Sequence, residues 1–174
     1  MSKILICIDF QKVFFDKTSP WYVQSIEQAW QCTKDVIKNH YFDKIIFTKY
    51  LPDYNNTNPN INEYYKLFPF CLDKSQKHIF DLYEPLDIKN THNITSDKFG
   101  KLRDTGLKHL ISHKDDIYIC GVSVDCCVLL TVLEMVDEGY KMTIIESCVA
   151  GSNFNESIKI MESNKPFVNI IAEF

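Results

Sequence analysis

No stretch of this 174-residue sequence is apolar for long enough to cross a bilayer. The opening MSKILICIDF meets an aspartate before the core of a secretory signal is complete. Basic tracts are missing too: 19 lysines and arginines are scattered against 23 acidic residues, a net charge of -4. These absences argue against membrane and nucleic acid as partners, and the cytoplasm is the expected location. No Cys-x-x-Cys pair occurs, which disfavours thiol redox chemistry. Seven cysteines cannot all pair within one chain, so a reducing compartment is the simpler reading. Cys7, Cys32, Cys71, Cys120 and Cys148 lack zinc-ribbon spacing and read as packing residues. There is no repeat and no second hydrophobic unit, so residues 1–174 read as one domain.

What is present is a 45% hydrophobic composition, enough for one sizeable core. Short apolar runs at 4–8, 45–48, 116–120, 141–145 and 168–171, with a weaker LDI run at 86–88, predict strands. Helical patterns occupy 25–39, 127–138 and 155–162, while 52–86 is turn-rich and aromatic. This alternation predicts a three-layer α/β/α fold with a mainly parallel, Rossmann-like sheet of six strands and right-handed crossovers.

Such sheets bind ligands beyond the carboxyl ends of their strands. Three reactive groups fall at expected ends: Asp9 after ILICI, Lys89 after LDI, and Cys127 shortly after IYIC. A thiol in the first turn of a helix would be stabilised as thiolate by unpaired amides and the helix dipole. Asp9 could take its proton, and Lys89 could lower the thiol pKa and orient the carboxylate. Taken singly, each has a plainer reading: a strand-end cap for Asp9, a solvated lysine for Lys89, a packing thiol for Cys127. Cys126 reads as a structural neighbour, and Asp125 as a helix-start cap.

The motif Asp9-Phe10-Gln11-Lys12-Val13-Phe14 and the loop Gly121-Val122-Ser123-Val124-Asp125-Cys126-Cys127-Val128, with Thr131 following, resemble those of the isochorismatase-like cysteine hydrolase family, which includes nicotinamidases. The resemblance implies a triad of Asp9, Lys89 and Cys127, with Lys98 as the nearby competitor for the lysine position. It also implies a cis bond between Val122 and Ser123, and an oxyanion hole from the backbone amides of Ser123 and Cys127. The implied activity is hydrolysis of a small amide through a thioester, with vinyl-ether hydrolysis as another branch. An inactive scaffold or interaction protein is the competing class.

Nicotinamidases of the family carry an aspartate-histidine metal cluster after the second strand. The matching segment here is Thr48-Lys49-Tyr50-Leu51-Pro52, and histidine is absent between His40 and His78. No metal and no other cofactor is therefore expected. Phe14, Phe15, Trp21 and Tyr50 are candidate walls of a pocket for a small-molecule substrate, although core packing alone would also account for them. The resemblance implies homo-oligomers as well.

Overall fold

The computed structural model describes residues 1–174, apart from the side chain of Phe154. Six strands form one sheet: β1 (Lys3–Ile8), β2 (Lys44–Tyr50), β3 (Thr91–Ser96), β4 (Asp116–Val122), β5 (Met142–Ala150) and β6 (Asn169–Ile171). Their order is β3-β2-β1-β4-β5-β6 and every pairing is parallel. The chain leaves β1 toward one edge and returns through β4 toward the other. That places the topological switch, where such sheets hold ligands, between the ends of β1 and β4.

The two-residue period of β1 builds both halves of the core. Leu5 and Cys7 face one side, where they join Trp30 and Val36 of α2 (Ile26–Asn39). Ile4, Ile6 and Ile8 face the other, against Val132 and Met135 of α4 (Leu129–Asp137) and Met161 of α5 (Phe154–Asn164). A strand buried on both faces has no polar alternation, which is why KILICI reads as a continuous apolar run. Each fully buried isoleucine or leucine there contributes roughly 1.5–3 kcal/mol of transfer free energy. Helix α2 buries Ile26, Ala29, Trp30, Thr33 and Val36, an i, i+3, i+4 stripe. Two shorter helices, α1 (Lys12–Phe15) and α3 (Pro59–Leu67), lie in the segments that follow β1 and β2.

Gly121 makes the junction of β1 and β4 possible. It has φ of +129°, and a Cβ there would lie 2.2 Å from the Ile8 carbonyl oxygen. Only glycine allows the two strands to approach this closely at the switch point.

Three expectations are corrected. Residues 86–88 are not a strand. The third strand is Thr91–Ser96, a polar edge strand with only Ile94 and Ser96 buried, so a search for apolar runs passes over it. The helix expected from residue 127 begins instead as a π-helical turn over Val124–Val128, and regular α-helix starts at Leu129. Cys32 and Cys148, read as independent packing residues, are joined as a disulfide that ties α2 to β5 across 116 residues of sequence. Among the described residues no helix is long and apolar enough to cross a membrane.

Candidate active site

Asp9 is the first residue beyond β1, and it adopts a left-handed backbone conformation with φ of +50°. For a non-glycine residue this is uncommon and is held by its surroundings. Its carboxylate is fully buried. The Thr48 hydroxyl donates to Asp9 Oδ1 at 2.7 Å, and the Asp9 amide donates back to Thr48 Oγ1 at 3.2 Å. Asp9 Oδ2 accepts no ordinary hydrogen bond; it meets Lys101 Nζ at 2.9 Å. Lys101 is also fully buried, and its ammonium donates to the Lys98 carbonyl at 2.7 Å and lies 5.3 Å from the Tyr50 ring centroid. Two charges at 0% exposure survive only because each is the other's partner.

Gln11, buried two residues later, sets the neighbouring wall. Its amide donates to the Tyr50 carbonyl at 2.7 Å and to the Phe80 carbonyl, while its oxygen accepts from the Tyr50 amide at 2.9 Å. One side chain thereby fixes the end of β2 against the segment that carries Phe80.

Across the switch point, Cys127 sits inside the π-helical turn with 4% exposure. The Asp9 carboxylate and the Lys101 ammonium both act on its sulfur. The neighbouring Cys126 sulfur, burial and Asp9 push the Cys127 thiol well above its ordinary range, while Lys101 opposes the rise. The geometry does not support the expectation of a thiolate stabilised at a helix start: the group is buried, no regular α-helix begins at it, and within the Cys126–Cys127 pair the thiol of Cys127 is raised while that of Cys126 is lowered. The Val122–Ser123 peptide bond is cis, as the resemblance implies.

Cys126, Cys127, Ser123, Asp125 and Ser152 form the polar side of a cavity of about 270 Å³. Its other side is aromatic, built from Phe14, Trp21, Tyr22, Tyr50, Tyr64, Phe68 and Phe99. Trp21 is the hub, with ring centroids within 6.0 Å of Phe14, Tyr50, Tyr64, Phe68 and Phe70. The Tyr50 and Tyr65 hydroxyls pair at 2.9 Å, which leaves the Tyr50 ring face as the surface turned to the Lys101 ammonium.

Of the residues predicted from sequence, Asp9, Cys127, Ser123, Phe14, Trp21 and Tyr50 come together here. Lys89 does not. It is exposed in the turn before β3, at the amino-terminal edge of the parallel sheet, opposite the end at which Asp9 stands. Lys98 is exposed as well and pairs with Asp97 at 3.0 Å. Lys101, which sequence reasoning passed over, holds the place beside Asp9. A third strand placed at 86–88 points to Lys89; the true strand, Thr91–Ser96, points first to Lys98, and nothing in the sequence singles out Lys101 three residues further on. Phe15 also points elsewhere, stacking on Tyr83 with centroids 3.6 Å apart. Asp125 is no helix cap: it accepts from the Ser123 and Ser152 hydroxyls and from the Ser152 amide at 3.1 Å, which joins the ends of β4 and β5. Those bonds hold its carboxyl below its usual range despite the opposing effect of burial.

Buried thiols make stability sensitive to alkali. Burial pushes Cys7 well above its ordinary range and Cys71 up to about 12. An unfolded thiol loses its proton near pH 8.5, while these native thiols keep theirs. Above that pH the native state binds more protons than the unfolded state, so stability falls as pH rises, by about 1.4 kcal/mol per unit for each such group. For Cys71 the decline continues to about pH 12. Thermal melts from pH 7.5 to 10 should show a falling midpoint, and Cys71→Ala should flatten the slope; a midpoint indifferent to pH over that range would contradict the assignment.

An isochorismatase domain model matches residues 3–172. Among curated proteins, none matches the chain by sequence. Solved structures similar to this chain include a cysteine hydrolase from Pseudomonas syringae pv. phaseolicola, with TM-score 0.82 and 14% identity over 97% of this chain and 87% of that one. A pyrazinamidase/nicotinamidase from Streptococcus mutans aligns with TM-score 0.77 and 22% identity over 98% of this chain and 100% of its own. The pyrazinamidase of Pyrococcus horikoshii, solved in complex with zinc, gives TM-score 0.70 and 17% identity over 99% of both chains.

Proposed function

The chain belongs to the isochorismatase domain family, and from that membership and the site's geometry we propose that it hydrolyses a small, uncharged carboxamide by way of a Cys127 thioester. The observation that carries this reading is the fully buried Asp9–Lys101 pair acting on Cys127 at the floor of an aromatic-walled cavity. Lys101, not Lys89, takes the lysine role.

With the Cys127 thiol raised by its surroundings, attack requires a base. Asp9 Oδ2 is suited to it, since its one close partner is an ammonium and it has lone-pair capacity left for the thiol proton. Cys127 Sγ bonds to the carbonyl carbon as the proton passes to Asp9, and the new oxyanion is stabilised by the Ser123 and Cys127 amides. Asp9 returns the proton to the amide nitrogen, the C–N bond breaks, and ammonia leaves a thioester. Water, deprotonated by Asp9, then attacks the same carbon, and the carbon–sulfur bond breaks to give the acid and regenerate the thiol. Lys101 keeps Asp9 positioned and balances its charge through both halves.

The cavity favours uncharged substrates. Among the described residues no lysine, arginine or histidine lines it and Asp125 adds a carboxylate, while the Lys101 ammonium is already paired with Asp9, so an anionic substrate has no free positive partner. A metal-held substrate is not supported by the donor set: among the described residues no three His, Cys, Asp or Glu side chains gather as ligands, and at the end of β2 Lys49 pairs with Asp81 at 3.4 Å.

The test is ammonia release from a panel of small amides, including flat aromatic carboxamides and their carboxylate-bearing analogues. Turnover of uncharged members by the native protein, absent in Cys127→Ala, is the expected result. Turnover that persists in Cys127→Ala removes the nucleophile assignment, and silence across the whole panel favours a scaffold without hydrolytic activity.

A further inference from the structure

The segment that carries Lys101 has no regular secondary structure, yet Lys101 has to deliver an ammonium to a fixed point in the core. Three consecutive amides of that segment hang on one face of α4. Lys101 N donates to Thr131 Oγ1 at 3.0 Å, Leu102 N to Glu134 Oε2 at 3.0 Å, and Arg103 N to the same oxygen at 3.4 Å. Thr131 and Glu134 are three residues apart and therefore neighbours on the helix surface. The Thr131 hydroxyl donates in turn to the Cys127 carbonyl at 2.6 Å. Gly100 completes the arrangement, since a Cβ at that position would lie 2.6 Å from Glu134 Oε1. The absence of a side chain there lets the carboxylate reach under the backbone.

We propose that Glu134 is a positioning residue for the Lys101 ammonium, acting through the backbone of residues 100–103. The inference rests on the reading of Asp9, Lys101 and Cys127 as the reacting site. A carboxylate that accepts from two backbone amides makes charge-assisted hydrogen bonds, which are stronger than neutral ones. Together with Thr131 it couples the lysine segment to the helix that begins beside the nucleophile, so the two sides of the site move as one body.

The readout is the pH dependence of Cys127 alkylation by iodoacetamide, localised by tandem mass spectrometry, which needs no known substrate. The groups that act on the Cys127 thiol are Cys126 beside it, Asp9 from the end of β1, Lys101, and Tyr64 from α3. Of these only Lys101 lowers its pKa, so a displaced ammonium moves the profile to higher pH. Glu134→Ala is expected to shift it upward by about half a unit or more, with roughly three-fold slower alkylation near neutral pH. Glu134→Gln, which keeps an acceptor oxygen, should stay close to the native curve. Gly100→Ala should reproduce the upward shift by pushing the carboxylate aside, and combining it with Glu134→Ala should add nothing further. If Glu134→Ala does not fold, Gly100→Ala alone carries the test. A folded variant of either kind with the native profile overturns the proposal. Lys101→Met is the control: if it too leaves the profile unmoved, the reading of the site fails, whereas a shift in Lys101→Met alone sinks only the role of Glu134.

Discussion

Lys101→Met is expected to abolish hydrolysis, with a loss of at least about a thousand-fold in kcat/KM, and to destabilise the fold by roughly 3–5 kcal/mol. Lys89→Met should change neither. The stability loss arises because Asp9 stays behind as a buried carboxylate whose partner at 2.9 Å has gone, with only Thr48 left to compensate it. Asp9→Asn should cost a comparable amount by stranding the ammonium. The double variant Asp9→Asn with Lys101→Met separates the two effects. With both charges removed the stability penalty should be much smaller than the sum of the single losses, since a buried ion pair contributes little net stability over a neutral replacement. Activity should stay absent in the double variant. Denaturant melts of the three variants, read beside ammonia release on the best amide of the panel, make the check. A Lys89→Met protein that loses activity, or a Lys101→Met protein that keeps it, would return the lysine role to the position chosen from sequence.

That choice shows which physical signals a sequence carries and which it does not. Buried central strands announce themselves, because a strand covered on both faces must be apolar throughout; β1 and β4 were legible for this reason, and with them Asp9 and the loop of Cys127. The edge strand β3 reads THNITS, and its burial alternates because one face meets solvent. With the strand displaced to the LDI run, the expected lysine fell on Lys89, and even the true strand end points first to Lys98. Lys101 gives no sign of its burial, since what buries it is an ion partner 92 positions away by numbering. Adjacent aromatic residues pose the same problem on a smaller scale. Phe14 and Phe15 are equivalent in composition, but consecutive residues of α1 project in different directions, and one lines the cavity while the other stacks on Tyr83. The disulfide of Cys32 and Cys148 was beyond sequence reasoning for want of any local spacing between its halves.

Cys127→Ser is expected to reduce turnover by about three orders of magnitude or more while preserving the fold, and the native enzyme should yield a trappable acyl adduct that the variant does not. The proposed mechanism calls for transient ionisation of this thiol: the Cys126 sulfur, burial and the Asp9 charge all raise it, so its proton passes to Asp9 as the carbonyl carbon is attacked. A hydroxyl in the same position is a far weaker acid, and Asp9 alone does not supply the added driving force its ionisation requires. Acid quench during turnover, followed by intact mass measurement, should reveal a population heavier by the acyl group, located at Cys127 by peptide mapping. Hydroxylamine present during turnover should intercept the same thioester as a hydroxamate, at the expense of the acid and without slowing ammonia release. Those two observations distinguish covalent catalysis from direct attack by water, because direct attack yields neither adduct nor hydroxamate. Ammonia release that survives Cys127→Ser at near-native rate, with no adduct in the native enzyme, would transfer the chemistry to an Asp9-activated water and reduce Cys127 to a wall of the cavity.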